Sequence, residues 1–266
     1  MDSWLSVGFI MGAVQGLTEF LPISSTGHLV IAGNLLGFTG DKASTFSVAI
    51  QLGSILAVAV LYRQRFLGLL FPKGRSGLAG KRGIGLLLLT TLPACAAGLL
   101  LRSHIKTLFT PASVAAALAV GALLMLLIEK RSAARPPVCL SLDDVTPRMA
   151  LGIGLCQCLA LWPGFSRSGS TIMGGMLLGA RRDVAAEYSF IAAVPIMIGA
   201  TGYELLKTWA LFTPEDVPLF ASGMVFSFLF ALLAIRAFIA LVGRLTLRPF
   251  AWYRLALAPL VYIFLR

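Results

Sequence analysis

Charge is what this 266-residue chain has least of. Asp, Glu, Lys and Arg together make up 12% of it, against roughly 25% in an average soluble domain. Acidic residues number 11 and histidines two, so chemistry that needs an ionisable side chain has few to choose from. The four cysteines, Cys95, Cys139, Cys156 and Cys158, match neither a zinc-ligand spacing nor a disulfide framework. The N-terminal MDSWLSVGF has no basic n-region and no small-residue cleavage pattern, which predicts no cleaved signal peptide. What is abundant is apolar: 58% of the residues, with a mean hydropathy of +0.89. Six long apolar stretches cannot all hide in the core of a soluble protein of this size. An ordinary soluble protein, a disordered chain and a nucleic-acid-binding domain are therefore excluded. Lys and Arg outnumber Asp and Glu by 22 to 11, but they cluster between the apolar stretches. There they report topology and contact with anionic lipid headgroups. The sequence reads as an all-α polytopic membrane protein, one integral membrane domain over residues 1–266.

A membrane helix needs about 20 apolar residues to cross a hydrocarbon layer about 30 Å thick. Charge-poor intervals predict six transmembrane helices, at residues 43–62, 83–101, 107–128, 188–203 (extended through 206), 217–235 and 250–265. The last is the weakest, because it carries Arg254 near its start. Residues 7–37 and 150–179 are also apolar but broken, the first by Glu19, Pro22 and His28, the second by Pro163, Arg167 and a run of Gly and Ser. Unpaired backbone survives at membrane depth only inside protein or along a cavity. Both regions are therefore predicted to be re-entrant helix-loop-helix hairpins. The loop after the first span holds Arg63, Arg65, Lys73, Arg75, Lys81 and Arg82 and no acid, which predicts a cytoplasmic position. Residues 130–148 and 244–248 then fall inside as well, and both termini and residues 207–218 fall outside.

An offset of 142 residues aligns the two broken regions without a gap, with 12 identities over residues 12–47. Gly12 pairs with Gly154, Gln15 with Gln157, Ser24 with Ser166, Gly27 with Gly169, Asp41 with Asp183 and Ser47 with Ser189. The repeats cover about residues 1–130 and 145–266. Three predicted spans follow each copy. Three is odd, so the second copy enters the membrane from the opposite side, an inverted-topology repeat of the kind found in transporters. The two hairpin tips are then expected to meet near the midplane.

Ionisable residues at membrane depth are functional candidates by default. The first tip runs Q15-G-L-T-E19-F-L-P22-I-S24-S25-T26-G27-H28 and the second P163-G164-F165-S166-R167-S168-G169-S170-T171. Arg167 offers a fork of donors suited to phosphate oxygens. Ser166, Ser168, Ser170 and Thr171 supply hydroxyls around it. Gly164 and Gly169 permit close backbone approach, and a helix starting near Ser170 would favour an anion at its N-terminus. Gln15 and Glu19 share a helix face. Glu19 is suited to hold a divalent cation or to act as a base, and with one carboxylate the cation would draw on phosphate oxygens and water, as Mg²⁺ accepts. The competing role for Glu19 is an ion pair locking Arg167. His28 is suited to general acid-base chemistry or to nucleophilic attack. Ser25, three residues away, is an alternative nucleophile that His28 would activate.

These motifs closely resemble the undecaprenyl pyrophosphate phosphatase family, the bacitracin-resistance proteins of bacteria. The likeness rests on Gln15–Glu19 as the family's (E/Q)xxxE pattern, on F20-L-P-I-S-S-T-G-H28 and on P163-G-F-S-R-S-G-S-T171, and it extends through D143-D-V-T to the C-terminus. It implies a multi-pass enzyme of the bacterial inner membrane that removes the terminal phosphate of undecaprenyl pyrophosphate, recycling the lipid carrier for peptidoglycan. It also implies six spans with two re-entrant hairpins, a divalent cation (Mg²⁺ or Ca²⁺), an active site open to the outer face and a capacity to form homodimers. By position it marks Glu19, Ser25, His28, Arg167 and Thr171, with Gln15, Ser24, Thr26, Ser166 and Ser168 around them. The chain departs from many members at Gln15, where they carry Glu. The second reading is a transporter or flippase for a lipid phosphate or another anion, with Arg167 in the substrate site.

Overall fold

The computed structural model describes residues 2–72, 77–208 and 213–264. Lys73 and Arg75 of the basic loop lie outside them, as do residues 209–212 of the predicted outer loop. The regular structure of the described residues is helical, with no strand and only an isolated bridge between Cys139 and Ala180. The elements are α1 (Asp2–Thr18), α2 (Ser25–Leu35), α3 (Asp41–Ala49), α4 (Gln51–Leu61), α5 (Arg63–Leu70), α6 (Gly80–Leu100), α7 (Arg102–Thr107), α8 (Pro111–Ala133), α9 (Pro147–Gln157), α10 (Arg167–Leu177), α11 (Arg182–Thr208), α12 (Val217–Val242) and α13 (Arg248–Phe264).

Five helical stretches are long and apolar enough to cross a membrane: Asp41–Leu61, in which α3 and α4 run on through Ile50, then Gly80–Leu100, Pro111–Ala133, Arg182–Thr208 and Pro214–Val242. Each covers one of the six predicted spans. The sixth is α13, whose 17 residues reach about 25 Å at 1.5 Å per residue, short of the hydrocarbon thickness. Its Arg254 is completely buried.

Repeat mates do matching work. α1 packs along α12, and its mate α9 packs along α6, the mate of α12. Small residues make both contacts possible. A methyl group at Gly12 would meet the Gly223 carbonyl oxygen at 2.5 Å, and one at Gly154 the Leu89 carbonyl oxygen at 2.7 Å. Close backbone approach of this kind is how helices associate where no hydrophobic drive separates them from lipid. α8 and α13, another pair of mates, pack on each other.

The D143-D-V-T segment starts α9. Ser141 and Asp144 form a capping box around a short 3₁₀ turn, and Thr146 caps α9 by accepting from the Met149 N–H. Arg65 donates to both Asp143 carboxylate oxygens at 3.1 Å, and Leu78 N–H adds a third bond at 3.0 Å. Arg82 donates to the Val145 carbonyl. At the same end of the molecule Glu129 of α8 pairs with Arg182 of α11 and accepts from Leu247 N–H, while Arg182 also donates to the Leu245 carbonyl.

Candidate active site

Each tip turns on a serine with an uncommon backbone. Ser24 (φ 72°) and Ser166 (φ 78°) are the non-glycine residues of positive φ among those described, and they are repeat mates. Such a backbone costs on the order of 1–3 kcal/mol and persists where the surroundings hold it. Each serine immediately precedes a helix, α2 or α10, so Ser25 and Arg167 become equivalent first residues. α10 thus begins at Arg167 and not near Ser170, with Ser166 as its cap accepting from Gly169 N–H at 3.1 Å.

The two first residues converge on one carboxylate. Ser25 Oγ donates to Glu19 Oε2 at 2.7 Å, and Arg167 Nη2 donates to Glu19 Oε1 at 3.1 Å. Gln15 Nε2 donates to Oε2 at 3.0 Å from one turn earlier. The expected meeting of the tips is therefore observed, and it is strengthened by Ser168 Oγ, which donates to the Leu21 carbonyl at 2.8 Å. The Glu19–Arg167 ion pair is the locked arrangement weighed from sequence. Arg167 also donates to the Ser189 carbonyl at 3.2 Å and lies over the Phe20 ring.

Several of the expected site residues are bonded within the protein. The Ser170 hydroxyl donates to the Arg167 carbonyl, and Thr171 bonds the Arg167 carbonyl and Ser189 Oγ. These hydroxyls are spent on α10 and its packing, because a helix starting at Arg167 turns them toward its own previous turn and toward α11. Ser166 and Ser168 are bonded to each other. Gly169 makes room for Arg254: a methyl group there would lie 3.2 Å from Arg254 Nη1. Gly164 likewise makes room for the Val114 carbonyl. Thr26 is exposed beside Ser25. His28 bonds the Ser24 carbonyl through Nδ1 and the Tyr253 hydroxyl through Nε2, both at 2.7 Å. The side chain oriented on Ser25 is accordingly Glu19, where the sequence suggested His28.

Sequence reasoning passed over Tyr253, Arg254 and Ser189 as site residues. Arg254 has no carboxylate among its bonded partners. It donates to the carbonyls of Pro22 at one tip, Gly164 at the other, and Ala117 and Leu118 of α8. A guanidinium buried at membrane depth was itself the available signal, but Arg254 stood at the edge of a weak span.

Two polar atoms inside the site are buried without a partner: Gln15 Oε1 and Arg167 Nε. Buried polar groups left unpaired call for a ligand or water. Gln15 Oε1 and the Glu19 carboxylate are hard oxygen donors that fit Mg²⁺ or Ca²⁺. The described residues contain no group of three or more His, Cys, Asp or Glu that would hold a metal alone, so phosphate and water would complete the shell. The free Arg167 N–H fits an anion's oxygen.

A family model described as "Bacitracin resistance protein BacA" matches residues 8–260. Similar proteins named undecaprenyl-diphosphatase include that of Nitratidesulfovibrio vulgaris strain Hildenborough, 68% identical over 257 residues and 96% of each chain. That of Desulfovibrio desulfuricans is 63% identical over 266 residues, covering 100% of this chain and 99% of the relative. That of Lawsonia intracellularis is 58% identical over 263 residues, 99% of each. The chain belongs to the BacA family of bacitracin resistance proteins.

Proposed function

We propose that this chain is an undecaprenyl-diphosphatase that hydrolyses the terminal phosphoric anhydride of undecaprenyl diphosphate, releasing inorganic phosphate and undecaprenyl phosphate for reuse in peptidoglycan synthesis. One observation carries the reading: Ser25, Gln15 and Arg167, drawn from both tips, meet on the single carboxylate of Glu19. The names and full-length similarity of the relatives supply the substrate class.

In this reading Arg167 leaves Glu19 for the terminal phosphate when substrate enters, and its unpaired Nε joins the clamp. Ser25 Oγ, fixed by Glu19, attacks the terminal phosphorus. The new Oγ–P bond forms as the anhydride P–O bond breaks, undecaprenyl phosphate leaves, and the hydroxyl proton passes to Glu19 Oε2, the acceptor it already touches. Water then attacks the phosphoserine with His28 as its base, phosphate departs, and Ser25 regains its proton. A divalent cation held by Gln15 Oε1 and Glu19 would supply charge neutralisation for the phosphate oxygens. Phosphoryl transfer depends mainly on positioning and charge stabilisation, which Arg167, Glu19 and the cation would supply.

The membrane setting belongs to the same proposal. α13 serves as the sixth span, α1–α2 and α9–α10 are re-entrant hairpins of an inverted repeat, and the domain is single. The basic loops face the cytoplasm, the site opens to the outer face of the bacterial inner membrane, and the C55 chain lies among lipid. Two copies form a homodimer. Purified protein given a polyprenyl diphosphate is expected to release phosphate with Mg²⁺ and to stop with chelator. No release in detergent or lipid would overturn the phosphatase reading in favour of anion or lipid-phosphate transport, which needs two compartments.

A further inference from the structure

His28 is held from two sides by groups of different kinds. The Ser24 carbonyl oxygen, 2.7 Å from Nδ1, is an acceptor only, so Nδ1 carries the proton. In the neutral ring Nε2 is then bare. The Tyr253 hydroxyl lies 2.7 Å from it, and in that tautomer the hydroxyl donates. The two rings also stack, 8° from parallel with centroids 5.6 Å apart. The carbonyl owes its direction to the strained Ser24 backbone, with φ 72° and ψ 96°. The hydroxyl comes from α13, whose next residue, Arg254, reaches the carbonyls of both tips. One helix therefore fixes the tips and the imidazole together. Tyr253 is 45% exposed; in the proposal a water takes the place of its hydroxyl on Nε2.

We propose that Tyr253 is a positioning residue for phosphate release, holding His28 as the Nδ1–H tautomer with the Nε2 lone pair on the Tyr253 hydroxyl until water takes that place. This rests on the reading of His28 as the base for water. A histidine's free nitrogen is set by the bond its other nitrogen makes. Here the second bond, from Tyr253, holds the unprotonated nitrogen and with it the plane of the ring.

Two measurements on the full chain test this separately. The first is ¹⁵N NMR of detergent-solubilised protein labelled at histidine, in which His28 and His104 are the only histidines and His28→Ala assigns the signals. The expected spectrum has one protonated Nδ1 and one unprotonated Nε2 for His28, and Tyr253→Phe moves the Nε2 signal. Mixed tautomers in the unaltered protein, or an unmoved Nε2 signal, would overturn the contact. The second is phosphate release from a polyprenyl diphosphate. Tyr253→Phe is expected to lower kcat about tenfold with KM within about twofold, the pattern of lost positioning. Unchanged kcat would overturn the positioning role. Full activity in His28→Ala would instead remove the base assigned to His28, while leaving the NMR result to stand or fall alone.

Discussion

Ser25 and Arg167 stand 142 residues apart, occupy the same place in the two repeats, and hold opposite oxygens of Glu19, at 2.7 and 3.1 Å. Each is the first residue of its helix, delivered by a serine of positive φ. Symmetry of backbone has been turned to asymmetry of chemistry: one tip offers a hydroxyl, the other a cation. The carboxylate between them comes from the first repeat alone, since position 161, the mate of Glu19, is Leu161.

Glu19→Gln keeps the size of the side chain and removes its charge. The amide cannot take the Ser25 proton or bind a hard cation well, so activity is expected to fall at least about a hundredfold. Gln15→Glu is expected to do the reverse for the metal. A second carboxylate strengthens a hard-cation site, so the Mg²⁺ concentration giving half-maximal phosphate release should drop. A Mg²⁺ titration of both variants, each returned to zero with chelator, reads this directly. An unchanged midpoint in Gln15→Glu would remove Gln15 from the cation site.

Arg167→Lys separates clamp from lock. A lysine can still pair with Glu19, but it lacks the planar fork and the Nε donor. If Arg167 grips phosphate, KM rises and kcat falls, together by at least about a hundredfold in kcat/KM, while the thermal midpoint stays close to that of the unaltered protein. Near-normal turnover in a folded Arg167→Lys or Arg167→Ala protein would leave Arg167 as an ion-pair lock only.

Both tips were legible in the sequence because glycine, proline and ionisable residues interrupt an apolar background there, and because the interruption recurs at a fixed offset. Spans were legible for the same reason, down to α13, where 17 residues and a buried arginine blur the signal. Partners were not legible. That Ser170 and Thr171 bond their own helix follows from α10 starting at Arg167, which depends on the φ of Ser166. That His28 meets Tyr253 joins residues 225 apart, and no local pattern encodes such a pairing.

Asp143 anchors the start of the second repeat, and its behaviour with pH has a definite sign. Burial alone would raise its pKa, but the Leu78 N–H and the Arg65 guanidinium outweigh that and hold it below the ordinary carboxylate value. A group depressed in the folded state contributes stability above its unfolded pKa, near 3.9, and loses it as pH falls through the folded value. Arg65 and Asp143 are both well exposed, so the pair is worth only about 0.5–1 kcal/mol. Asp143→Asn should therefore lower the unfolding midpoint slightly at pH 7. The difference should shrink as pH falls below the ordinary carboxylate range and vanish once Asp143 is protonated in the folded state. A gap that persisted in acid would assign the loss to packing instead.

Gly154→Ala tests whether close backbone contact holds the second hairpin where Arg167 needs it. The added methyl would stand 2.7 Å from the Leu89 carbonyl oxygen and 2.8 Å from that of Thr90. Both are main-chain atoms of α6 and cannot rotate away, so α9 has to shift. The same seam carries the Gln157 Nε2 bond to the Thr90 carbonyl at 3.0 Å and the Thr90 Oγ1 bond to the Ala150 carbonyl, and a shift strains both. Overpacking of this kind costs about 1–3 kcal/mol. Gly85→Ala, on α6 itself, meets nothing within 4 Å and gains helix propensity, so it is the matched control. Expected is a lowered unfolding midpoint with reduced phosphate release for Gly154→Ala, and neither for Gly85→Ala. Since α9 feeds the tip through Trp162–Ser166, the activity loss should exceed what the unfolded fraction explains. A loss proportional to unfolding alone would mean that the α9–α6 seam stabilises the protein without setting the geometry of Arg167.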